Sequence, residues 1–100
     1  MIHHIVMFKL SETPNAELKE ANKWELKRRL EALPAKIDVI RSMEVGINMV
    51  ESARSFDLVL LSTFDSLDDL EAYRVHPDHQ DLVEYIGQIR EQVASVDYEY

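Results

Sequence analysis

Between Tyr73 and His79 the chain reads Y-R-V-H-P-D-H, a phenol followed six residues later by an imidazole, with His76 and Pro77 between them. A histidine of ordinary pKa, about 6.5, can accept a proton at neutral pH. A phenol can donate a hydrogen bond to an oxygen that gains charge as a carbonyl becomes an enolate. Together the two groups suit proton removal beside a carbonyl. His79 precedes Leu82, Val83 and Ile86 at helical intervals, so its side chain is expected to point inward. Leu67, Leu70 and Tyr73 recur every third residue, which puts the phenol on the core-facing stripe as well. The bland alternative is structural: His79 locks the H-P-D-H turn, and a buried Tyr73 hydroxyl bonds to it.

His4 shares a strand face with Val6 and Phe8, where a lone histidine is usually a satisfied core residue. It gains chemical interest if the fold carries it to His79. His4, His76 and His79 could in principle hold a metal. Pro77 makes His76 a junction residue, however, and no glutamate completes a helical ligand pattern, so no metal site is expected. Trp24 lies opposite the stripe formed by Leu18, Leu26, Leu30 and Leu33 and is expected to rest on the stems of Lys27 and Arg28.

These residues must be positioned by a simple succession of elements. I-H-H-I-V-M-F-K-L, residues 2–10, reads as a strand that is largely apolar on both faces. A helix is expected from about Pro14 to Leu33, ended by Pro34. Val39, Met43, Val45, Ile47 and Met49 alternate with polar residues in a second strand, where Gly46 suggests a bulge. F-D-L-V-L-L-S-T-F, residues 56–64, is a third strand, apolar on both faces. Ser66 with Asp69 approximates a capping box for a helix. Pro77 opens another helix, expected to run to about Val93, and A-S-V-D-Y-E-Y closes as a fourth strand. The order is βαββαβ, with the second helical segment split in two. It predicts an α+β, ferredoxin-like protomer: a four-stranded antiparallel sheet with helices on one face. Residues 1–100 read as one domain. Helices on one face would leave the other apolar face bare, so a homodimer through the sheet is expected.

Composition narrows the partners. The chain has 100 residues, no cysteine, and 19 acidic against 11 basic residues, a formal charge of -8. Without cysteine there are no disulfides or thiolate metal sites, which suits a reducing compartment. Without a basic stripe, nucleic acid is not an expected partner. No apolar run approaches the roughly 18 residues of a membrane span, and no leader is recognisable at the N-terminus, so a cytoplasmic protein is expected. With only Gly46 and Gly87 there is no phosphate-cradling loop.

H-I-V-M-F-K-L at 4–10, F-D-L-V-L-L-S-T-F-D-S-L-D-D-L-E-A-Y at 56–73, H-P-D-H at 76–79 and V-D-Y-E-Y at 96–100 together resemble the stress-responsive dimeric α/β-barrel (Dabb) family. The resemblance covers nearly the whole chain. It implies a ferredoxin-like protomer and a dimer whose two sheets close a barrel. Most members have no defined activity, and the corresponding expectation here is a protein that handles a small hydrophobic carbonyl or phenolic ligand between sheet and helices. One characterised plant member is a polyketide cyclase that performs an intramolecular aldol closure without cofactor. By that resemblance His79 would be the base, Tyr73 the donor and His4 a pocket residue, with no cofactor required. Other dimeric α/β barrels are haem- or oxygen-dependent monooxygenases, a further alternative that no cofactor motif here supports.

Overall fold

A computed structural model describes residues 1–100. Its elements run β1 (Ile2–Leu10), α1 (Ala16–Glu31), β2 (Ser42–Ile47), β3 (Leu58–Phe64), α2 (Leu67–Val75), α3 (Pro77–Ile89) and β4 (Arg90–Glu99), with a 3-10 turn at Leu33–Ala35. The strands form one antiparallel sheet in the order β2-β3-β1-β4. This is the ferredoxin-like arrangement expected from the order of the elements.

Local chemistry sets the helix starts. The Asn15 side chain accepts from the Leu18 N–H at 2.8 Å, and that of Ser66 from the Asp69 N–H at 3.1 Å. At the start of α3 the cap is His76, whose Nδ1 accepts from the Asp78 N–H at 3.1 Å. Pro77 occupies the first helical position, where no N–H is needed, and holds His76 in extended geometry. That is why α2 and α3 are separate helices.

On the covered face of the sheet, Val6, Phe8, Leu10, Val45, Leu58, Leu60 and Phe64 meet Leu26, Leu30, Leu33, Ile37, Leu70, Leu82 and Ile86 in one core. The opposite face carries Ile5, Met7, Val59, Leu61 and Val96; Leu61 is 37% exposed and Val96 53%. Two apolar faces on β1 and β3 were expected, and both are present.

Three expectations are corrected. The last helix stops at Ile89 and not near Val93, because Arg90–Glu99 pairs with β1 along its length. Strand pairing there outweighs a helical periodicity that continues through Val93. β2 is confined to Ser42–Ile47, and its register against β3 is unbroken at Gly46; the irregularity in the sheet falls instead between Lys9 and Leu10. Leu18 lies outside the buried stripe, at 46% exposure. Trp24 is exposed, in keeping with its place opposite the stripe, and donates from Nε1 to Glu20 at 3.3 Å.

Candidate functional site

The covered face of the sheet is not uniformly filled. α1 lies against β2, whereas α3 packs mainly on α2 and α1 and stands off β4. Between α2–α3 and the β1–β4 half of the sheet lies a cavity of about 630 Å³. His4, Tyr73 and His79 all line it, together with Val6, Phe8 and Val93.

The three rings form a connected series. Tyr73, at the last turn of α2, is 1% exposed. Its ring centroid is 4.3 Å from that of His79, 5.1 Å from Phe64 and 6.0 Å from His4. The Tyr73 and His79 rings pack at a tilt of 47° and form no hydrogen bond. The Tyr73 hydroxyl has no protein partner, and it is not sealed from solvent. Burial raises its pKa above that of an ordinary phenol, so it stays protonated and can donate.

His79 is fixed by a different contact. Its Nδ1 lies 2.9 Å from the Arg74 carbonyl oxygen, a group that can only accept. Nδ1 therefore carries the hydrogen, and the lone pair resides on Nε2. The Gln80 side chain donates to the same carbonyl at 2.7 Å. Together they satisfy an oxygen that the end of α2 leaves without a helical partner. His79 is thus both a lock on the junction and a ring with a free basic nitrogen. Its pKa is lowered, chiefly by burial; the bond to the Arg74 carbonyl works in the opposite sense. The ring is consequently neutral at pH 7.

His4 is held by a residue that sequence reasoning missed. Asp97 lies directly opposite it in the β1–β4 register, and the carboxylate pairs with His4 Nδ1. A histidine oriented through Nδ1 presents Nε2 as its remaining polar atom. The alternation of Val93, Ser95 and Asp97 on one face of β4 was the available signal. It becomes informative only when the strand register is known. Arg74, Arg90 and Ser95, also absent from the sequence expectation, complete the polar lining. His76, by contrast, is occupied in capping α3, and no cluster of three or more histidine and acidic residues is close enough to hold a metal.

A ferredoxin-like sheet with a histidine- and tyrosine-lined cavity beneath its paired helices defines a small α+β barrel protomer. The match to the Stress responsive A/B Barrel Domain over residues 2–100 then places the chain in the Dabb family. A curated relative, a stress-response A/B barrel domain-containing protein of Arabidopsis thaliana, is 29% identical over 99 residues, covering 98% of this chain and 36% of its own. The chain spans less than half the length of the curated relatives it matches. Among solved structures, a dimeric ferredoxin-like protein of unknown function from Bacteroides fragilis is 41% identical, with a TM-score of 0.88 over 99% of this chain and 95% of that one. The hydroxynitrile lyase of Passiflora edulis shares the fold at 15% identity, with a TM-score of 0.79 over 97% of this chain and 90% of that one. No helix is long and apolar enough to cross a membrane.

Proposed function

We propose that this Dabb protein binds a small hydrophobic carbonyl compound in the cavity between its sheet and its paired helices and activates it by proton transfer. The observation that carries the proposal is the convergence of a neutral histidine with a free Nε2 and a protonated tyrosine without a protein partner on one apolar chamber. In this reading His79 Nε2 takes a proton from the carbon beside the carbonyl. Tyr73 donates a hydrogen bond to the carbonyl oxygen as it becomes an enolate, and His4, oriented by Asp97, lines the pocket. The enolate carbon can then attack a second carbonyl of the same molecule, with the proton returned from the imidazolium to the new alkoxide. That sequence is an intramolecular aldol closure and draws only on side chains already in place. A cytoplasmic setting is part of the proposal and rests on the cysteine-free composition.

Exchange of the proton beside the carbonyl of hydrophobic ketones in deuterated water, followed by NMR, tests the first step. Wild type should accelerate it, and His79→Ala and Tyr73→Phe should each lower the rate about 10²-fold or more while remaining folded. If wild type binds such ketones without accelerating exchange, the second reading holds. In that reading the site is a ligand pocket, and His79 serves chiefly the junction through its bond to Arg74.

We further propose a homodimer closed through the open sheet face. Its support is the apolar row of half-buried Ile5 and exposed Met7, Leu61 and Val96, and the dimeric state of the Bacteroides fragilis relative. Leu61→Glu should convert the dimer to monomer in analytical ultracentrifugation. A monomeric wild type would end the proposal.

A further inference from the structure

The cavity has a second polar pole that the proton-transfer chemistry does not use. Arg90 lines the same chamber as His4, Tyr73 and His79, but it enters at the opposite end of the strand pair. His4 faces Asp97, whereas Arg90 faces Leu10. Six steps along β1 separate the two positions, roughly 20 Å at the rise of a strand. Between them the lining is mostly apolar, with Val6, Phe8, Val83, Ile86 and Val93 interrupted on β4 by Ser95.

The irregular pairing in the sheet explains how Arg90 comes to face the chamber. From Asp97 back to Val93 the odd-numbered residues of β4 point to the helices, opposite His4, Val6 and Phe8. Continued alternation would place Glu91 on that face and turn Arg90 away. The register instead steps from Lys9–Gln92 to Leu10–Arg90, leaving Glu91 as an extra residue. Leu10 points into the core, so the shift brings its partner Arg90 onto the same side. Re-aiming a side chain beside a site is what such bulges do. Glu91 pairs with Lys9 at 3.4 Å, and no carboxylate lies within salt-bridge range of the Arg90 guanidinium. A guanidinium is suited to bind a carboxylate with two parallel hydrogen bonds. In a chain of net charge -8 it is a local exception to the overall field.

We propose that Arg90 anchors an anionic group at the far end of the ligand. The substrate class is then an apolar chain with its reacting carbonyls at one end and a carboxylate at the other. This rests on the reading of the cavity as a carbonyl site and adds a length and a charge to it. Allowing for the reach of the arginine side chain, the strand spacing fits a chain on the order of ten carbons.

Calorimetric titration tests this with three probes: a methyl-ketone fatty acid of about that length, its methyl ester, and the saturated fatty acid without the ketone. The keto acid should bind wild type about tenfold more tightly than its ester, as expected of one charge-assisted contact. Arg90→Gln should remove that difference while leaving ester affinity unchanged, and Arg90→Lys should restore part of it. Equal affinity for acid and ester, or equal loss of both in Arg90→Gln, overturns the anchor. The last result would make Arg90 merely a partner for the end of α3. If the ester alone binds, with affinity dependent on His79, the carbonyl reading survives without the anchor. If the saturated acid binds as well as the keto acid, and only Arg90 substitutions weaken it, the anchor survives without the carbonyl reading. If none of the three binds, both fall.

Discussion

The two halves of the helix-covered sheet face are built from the same kinds of residue and serve different ends. Under α1, Leu26 is completely buried, and Val45, Leu58, Leu33 and Ile37 close around it. Under α3, Val83 is 46% exposed, and nearly every residue of β4 is accessible. The first half has its layers in contact. In the second, α3 is held away from the sheet, with the rings of Tyr73 and His79 at one end of the gap. Apolar composition alone therefore does not mark core. One half provides the rigidity that lets the other remain hollow, in keeping with sites placed on firm scaffolds.

Truncation should separate the halves most clearly. Leu26→Ala removes a buried side chain from a tightly packed region and should cost about 2–5 kcal/mol in urea unfolding. Val83→Ala, at the mouth of the cavity, should cost less than about 1 kcal/mol. Similar costs would mean that the cavity wall bears as much of the stability as the sealed half.

Enlargement should invert the pattern by a smaller amount. Val45→Phe overfills the packed half and should destabilise by about 1–3 kcal/mol. Ser95→Phe, on β4 opposite Val6, directs its ring into open space and should change stability by less than about 1 kcal/mol. The same substitution should abolish ketone binding. Retained binding would place the ligand elsewhere on the molecule.

The contrast between the halves also separates what was legible in the sequence from what was not. The order of elements, the caps at Ser66 and the break at Pro77 are local, and each was readable from neighbouring residues. So was the inward orientation of Tyr73 and His79. The end of α3 was not readable, because Ile86, Ile89 and Val93 keep helical spacing across the point where pairing with β1 begins. Nor was the partnership of His4 with Asp97, which depends on cross-strand register between residues 93 positions apart. Leu18 misled for the opposite reason: it is spaced like a core residue, but at the start of α1 it has little above it to pack against.

The smallest expected effect concerns His79, where the hollow half should influence stability through pH. Burial lowers the pKa of this ring in the folded protein, while in the unfolded chain it returns to about 6.5. The unfolded state therefore binds more protons in the interval between those two values. Stability rises with pH wherever that is so. The neutral ring's contribution is fully present above the unfolded pKa. It is lost as pH falls through that value toward the lower folded one, and then levels off. Unfolding free energy of wild type should thus decline as pH falls from neutrality through about 6.5, and His79→Gln should flatten that decline. The variant should leave intact any separate loss at lower pH, where Glu25, held down to about 2 by hydrogen bonds from Arg28 and Arg29, begins to protonate. A ligand filling the cavity should exclude more water from His79 and deepen the decline, so the same titration with bound ketone locates the ligand at this ring. If the profiles with and without ketone coincide, the ligand does not seal the histidine end of the chamber.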